Sequence, residues 1–139
     1  MKQAGSKEKF RKVDFDYPVA LANTAKQMGA TQFLLVSSQG ANKKSPVFYS
    51  KVKGECEEAI QKIEFKGLHI FRPSLLLGHR ETERGGEKFF GTVMGILDFA
   101  IPKKYKPIEG ATVARAMLAV AKQDKQGSFI YESDDLRSY

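Results

Sequence analysis

The sequence predicts an α/β fold, a partial doubly wound parallel sheet of about three strands with flanking helices. Three observations predict it. Helical and strand patterns alternate along the chain. Phe33-Leu34-Leu35-Val36 is continuously apolar, as a strand covered on both faces requires. The 139 residues suffice for one domain, yet they carry only about half of the six strands of a complete doubly wound sheet. Residues 1–139 are therefore read as one domain, the C-terminal portion of a larger fold whose other half would precede Met1. Residues 1–12, polar and basic, are expected to be flexible.

Each element follows from local chemistry. Asp16-Tyr17-Pro18 reads as a helix start, with Asp16 as N-cap and proline in the first turn, and Gly29 stops the helix after Met28. Phe33–Val36 is the first strand, and the polar stretch 37–46 is a loop. A helix over about Phe48–Ile63 buries a stripe of Val52, Cys56, Ala59, Ile60 and Ile63, at spacings of three and four. Leu68–Phe71 is the second strand, ended by Arg72-Pro73. Gly78–Gly86 reads as a charged loop and Lys88–Phe99 as a helix packed on the sheet. Pro102–Gly110 is a connection rich in Lys and Pro. Val113, Ala116, Met117 and Val120 mark a further helix, and Ser128–Tyr131 the last strand.

Composition narrows the functional classes. An apolar fraction of 42% and a charged fraction of 28% are ordinary for a globular chain. A single cysteine excludes an intrachain disulfide framework. Cys56 lies on the apolar stripe and reads as a buried structural thiol. Two His and one Cys match no metal-ligand spacing, so no metal is expected. The first residues lack the apolar core of a signal peptide, and no apolar run is long enough to span a membrane, so a cytoplasmic protein is expected. The net charge of +7 comes from dispersed Lys and Arg with no nucleic-acid motif beside them, and no nucleic-acid partner is expected.

The chemistry concentrates in Val36-Ser37-Ser38, a loop, and Tyr49-Ser50-Lys51-Val52-Lys53. Tyr49 and Lys53 are four apart at a helix start, which puts both on one face, one turn apart. A phenol has a pKa of about 10 in isolation. An adjacent ammonium favours the ionised form and makes the phenol a usable proton donor and acceptor. A serine hydroxyl at the end of the preceding strand lies at the C-terminal edge of the sheet, where such folds bind ligands. The plain alternatives are an amphipathic helix start with a solvated lysine, and serines that only satisfy backbone groups at a strand end.

With FLLVSSQGA (33–41), YSKVKGECE (49–57), IFRPSLLLGHR (70–80) and KPIEGATVARAM (106–117), the sequence resembles the short-chain dehydrogenase/reductase superfamily. The likeness is to its extended and atypical branches, near the Tat-interacting-protein-type small oxidoreductases. The resemblance implies a Rossmann-like fold and the catalytic set Ser38, Tyr49 and Lys53, with Ser37 as the neighbouring alternative to Ser38. It implies that Lys53 also holds the nicotinamide ribose, and that Arg72, Pro73 and Ser74 form the segment whose backbone lies along the nicotinamide. The implied cofactor is NADP or NAD, and the implied substrate a small carbonyl or alcohol. Two departures stand out: Asp14 occupies a position where many members carry Asn, and the Gly-rich dinucleotide fingerprint is absent. The cofactor site of this chain is thus expected to be incomplete. A second expectation is a truncated, non-enzymatic interaction module, forming a homo-oligomer or binding a protein through the exposed sheet edge beside Phe33–Val36.

Overall fold

The computed structural model describes residues 6–77 and 102–139. Its first helical stretch starts earlier than the sequence predicts. The Ser6 hydroxyl accepts a hydrogen bond from the Lys9 N–H at 3.2 Å and caps α1 (Lys7–Arg11). A π-helical turn, Lys12–Asp16, continues it, and α2 (Tyr17–Gln27) completes the run. Asp16, expected as the N-cap, lies inside this run in right-handed helical backbone and makes no capping bond. Pro18 is the physical reason for the π turn. Inside a helix a proline donates no N–H, and its ring crowds the carbonyl four residues back, here that of Asp14. Widening the preceding turn relieves that crowding without ending the helix. The segment expected to be flexible is accordingly helical from Lys7, and it carries Phe10 to 5% exposure. The stop at Gly29 is present, with φ at +91°.

The chain continues through β1 (Gln32–Val36), α3 (Phe48–Gln61), β2 (Gly67–Arg72) and β3 (Leu76–Leu77). After a 3-10 turn at Lys103–Tyr105 come β4 (Ile108–Glu109), α4 (Gly110–Gln123), β5 (Gly127–Glu132) and α5 (Ser133–Leu136). The loop expected over Gly78–Gly86 and the helix expected over Lys88–Phe99 lie outside the described residues. The main sheet is parallel in the order β1-β2-β5, with Phe33 opposite Leu68 and Leu68 opposite Ser128. This is the expected three-stranded α/β arrangement. A second, parallel pair of two-residue strands, β3 and β4, was not foreseen.

Strand alternation divides the interior in two. Leu35, Leu68 and Ile70 meet Ala22 of α2 and Cys56 and Ile60 of α3. On the opposite face Phe71 and Leu34 meet Val113, Ala116 and Val120 of α4 and Leu136 of α5. The ladder bonds from Gly67 N–H to Thr31 O at 3.0 Å and from Ser37 N–H to Phe71 O at 2.7 Å turn the odd-numbered residues of β1 toward β2. The backbone groups of Gln32, Leu34 and Val36 therefore point to the outer edge, where among the described residues no strand pairs with them.

Two predictions follow from packing. A Cβ at Gly54 of α3 would overlap the backbone of Asn42 and Lys43, because the loop after β1 lies directly on the helix there. Gly54→Ala should lower stability by about 1–3 kcal/mol in urea unfolding. His69 of β2 is 0% exposed, 3.0 Å from the Tyr131 hydroxyl and stacked on Phe129. Burial holds its pKa below the ordinary 6.5. The unfolded chain takes up that proton near 6.5 while the folded chain stays neutral, so stability present above this pH falls as the solution is acidified. Urea midpoints measured across this range should decline toward acid, and less so in His69→Phe.

Candidate active site

Parallel pairing sends β1 and β2 out of the sheet at the same edge, and the site gathers there. Ser37 and Ser38 follow β1, Pro73 and Ser74 follow β2, and Tyr49 stands in the first turn of α3. A cavity of about 670 Å³ is lined by Ser37, Ser38, Gln39, Tyr49, Pro73, Ser74, Leu75 and Leu76. Of the six residues expected in the site, Ser38, Tyr49, Pro73 and Ser74 thus line one space, while Lys53 and Arg72 lie outside this wall.

Each wall is fixed by named contacts. The loop after β1 is pinned to α3 by the Asn42 N–H donating to Ser50 O at 3.0 Å, and by the space Gly54 leaves. The Tyr49 ring packs on Phe10, with centroids 5.4 Å apart. The Ser38 hydroxyl makes only a long contact of 3.4 Å to Gln39 O, so it is available to a ligand. The Ser37 hydroxyl is buried without a partner. The Ser74 N–H donates to the Ser133 hydroxyl at 2.7 Å, and the Ser74 hydroxyl donates to Lys106 O. Arg137 ties the same segment down by donating to the carbonyls of Lys103, Lys106 and Pro107.

Lys53 lies one turn beyond Tyr49, and its ammonium donates to the Asp14 carboxylate at 2.8 Å; the two side chains are only 15% and 23% exposed. Asp14 projects from the π turn and was not expected to hold the lysine. Arg72 turns its guanidinium onto Glu57 in a two-bond fork of 2.9 and 2.6 Å, with Glu132 at 3.6 Å. The Glu57 carboxylate holds the Arg72 pKa above its usual value. The Arg72 side chain is therefore committed to the protein, and what this segment offers a ligand is its backbone.

Phe10, Asp14, Ser133 and Arg137 support the site without a signal in the local pattern, because their partners lie tens of residues away. The one legible signal was Glu132-x-x-Asp135, whose reciprocal bonds form a capping box at the start of α5. The sequence contains no G-x-G-x-x-G, and among the described residues no His/Cys/Asp/Glu group is arranged to hold a metal. Among them, too, no helix is long and apolar enough to cross a membrane.

The fold is Rossmann-like, of the kind seen in solved reductases. The chain covers 94% of its length on a dTDP-4-dehydrorhamnose reductase of Clostridium acetobutylicum, with a TM-score of 0.64, 20% identity and 51% of that chain. A UDP-N-acetylglucosamine 4-epimerase of Methanobrevibacter ruminantium matches over 99% of this chain and 54% of its own, with a TM-score of 0.63 and 13% identity. No family model matches. Sequence likeness is closer. Protein FMP52, mitochondrial, of Lodderomyces elongisporus is 37% identical over 128 residues, 91% of this chain and 54% of that protein. Protein HTATIP2 of Rattus norvegicus is 40% identical over 115 residues, 78% of this chain and 45% of its own length. The chain is homologous to these proteins over most of its own length and resembles the atypical short-chain dehydrogenase/reductases. It spans about half the length of the curated relatives it matches.

One reactivity is fixed by this packing. Cys56 lies on α3 one turn from Lys53, is 3% exposed, and burial pushes its thiol up to about 11. Ellman's reagent at pH 8 should leave native Cys56 unlabelled and label it fully in denaturant. Rapid labelling of the folded chain would contradict the burial.

Proposed function

We propose that the chain carries the proton-transfer part of an NAD(P)-dependent oxidoreductase acting on a small carbonyl or alcohol. The observation that carries this reading is the single cavity where Ser38 and Tyr49 meet the Pro73-Ser74 segment. In this reading Ser38 donates a hydrogen bond to the substrate oxygen and orients it. Tyr49 gives a proton to that oxygen in reduction and takes it back in oxidation, within reach of the same cavity. Leu75 and Leu76 supply an apolar wall for the carbon skeleton and limit water. The backbone of Pro73-Ser74, held by Ser133 and Lys106, offers a rigid surface for a flat ring. NADP or NAD, when bound, supplies the hydride. Lys53 serves the cofactor ribose only by sharing or leaving its bond to Asp14. The described residues offer no Gly-rich grip for a pyrophosphate, and in this reading a further segment supplies it. A cytoplasmic location remains part of this proposal; the mitochondrial label in the FMP52 names belongs to those proteins.

The outer edge of β1 favours a second reading, in which the chain works by pairing with another polypeptide. Its backbone groups at Gln32, Leu34 and Val36 face outward, and Val36 is 39% exposed. Such an edge takes an added strand.

The test mixes the chain with a polypeptide covering the part of the Lodderomyces relative that it does not match. Carbonyl reduction should appear with NADPH or NADH, and Tyr49→Phe should reduce it by about 10²–10⁴-fold without changing the melting temperature. Full activity in Tyr49→Phe would overturn the assignment. Micromolar cofactor binding by the chain alone would argue against the non-enzymatic reading, and a monomer in light scattering would remove homo-oligomerisation.

A further inference from the structure

We propose that Gln39 is a positioning residue for Ser38. Its side-chain amide ties the cavity wall that carries Ser38 to the turn at Lys103–Tyr105. The consequence for turnover rests on the oxidoreductase reading; the tie itself rests on contacts alone.

The stretch 103–107 is held from the end of every strand of the main sheet. After β1, the Gln39 side-chain N–H donates to Lys104 O at 2.9 Å. After β2, the Ser74 hydroxyl donates to Lys106 O. After β5 and α5, Arg137 donates to Lys103 O, Lys106 O and Pro107 O at 2.7, 2.8 and 3.0 Å. All these bonds go to main-chain carbonyls, so the stretch is a strap fastened by its backbone. Of its three anchors, Gln39 and Ser74 also line the cavity.

The two lining anchors differ in what else holds them. Ser74 has a second support, because its N–H donates to the hydroxyl of fully buried Ser133 at 2.7 Å, and that hydroxyl lies 3.0 Å from its own. The Ser38 wall has less. The Ser37 N–H donates to Phe71 O at 2.7 Å and the Gln39 N–H to Pro73 O at 3.1 Å, which carries the ladder past the ends of β1 and β2. Bonds in one such row fix spacing but leave the wall free to tilt about the row. Gly40 follows at a φ of +79°, and the chain turns away there. Within 37–40 the Gln39 amide is the one side chain that bonds to another segment: the Ser38 contact is to the next residue, and the Ser37 hydroxyl has no partner. It is therefore the contact that resists the tilt. Ser38 is joined to Gln39 by one peptide unit, about 3.8 Å between Cα atoms, so a tilt of Gln39 displaces its hydroxyl. Small misplacements of groups that orient a substrate are costly in rate.

The tie requires a donor, because Lys104 O can only accept. Gln39→Met in the 139-residue chain keeps the reach of the side chain and removes the donor. Amide hydrogen exchange followed by NMR should quicken about 3–10-fold at position 39 and at Tyr105, with Leu35, Ile70 and Ser74 within about twofold of their original rates. Gln39→Lys supplies a donor again and should restore most of the protection. Gln39→Ala provides the same comparison if circular dichroism shows that Gln39→Met does not fold. Unchanged exchange at position 39 in a folded Gln39→Met chain would overturn the tie, and so would equal loss of protection in Gln39→Lys. In the turnover assay with the complementing polypeptide, Gln39→Met should lower kcat about 3–30-fold with KM within about twofold. A double-mutant cycle separates positioning from general loosening. In a Ser38→Ala chain, Gln39→Met should cost less than about twofold more, and the full further loss there would overturn action through Ser38. No turnover in the unsubstituted mixture would count against the oxidoreductase reading, and the exchange rates would still decide the tie.

Discussion

Strand β2 has no free face. Its first five residues, Gly67–Phe71, are all buried, and it is paired on both sides. A strand in that position must be covered by helices above and below, and its parallel neighbours must be reached by crossovers that pass over the sheet. The two cores, α2 with α3 on one face and α4 with α5 on the other, answer that requirement. Crossovers of this kind also bring the ends of β1 and β2 out at a common edge. The serines, the tyrosine and the Pro-Ser segment meet there because the sheet is parallel. Nothing in their own chemistry draws them together.

The parts of the fold legible in the sequence were those with a period long enough to read. Phe33–Val36 announced a strand covered on both faces, and Val52, Cys56 and Ile60 announced the buried stripe of α3; all three stripe residues are nearly fully buried. Strands of two residues, such as β3 and β4, have no period, and only pairing with each other defines them. The helix start was misread for a physical reason. Asp16 and Pro18 have the composition of a start, yet Pro18 is accommodated by a wider turn and the helix extends back to the Ser6 cap.

Legibility of the site followed sequence distance. Tyr49 and Lys53 are neighbours on one helix, and Ser38 precedes that helix by a short loop, so a local pattern contained them. What holds them was not local. Asp14 reaches Lys53 across 39 positions, and Ser133 reaches Ser74 across 59. Charge alone did not reveal such pairs, because Asp and Lys are common and mostly solvated. Arg72 shows the reverse case: its place in a motif was readable, but the buried Glu57 that takes up its side chain was visible only in three dimensions.

The π turn at Lys12–Asp16 has a consequence for how this helical run tolerates change. An α-helix advances about 100° per residue. An extra residue therefore acts as a change of phase, so that the two ends of one rod address different neighbours. Substitutions within the turn alter single contacts, but loss of one residue there would rotate everything before it relative to everything after. Chain length between Phe10 and Phe15 is thus a tighter constraint than the identity of the residues that fill it.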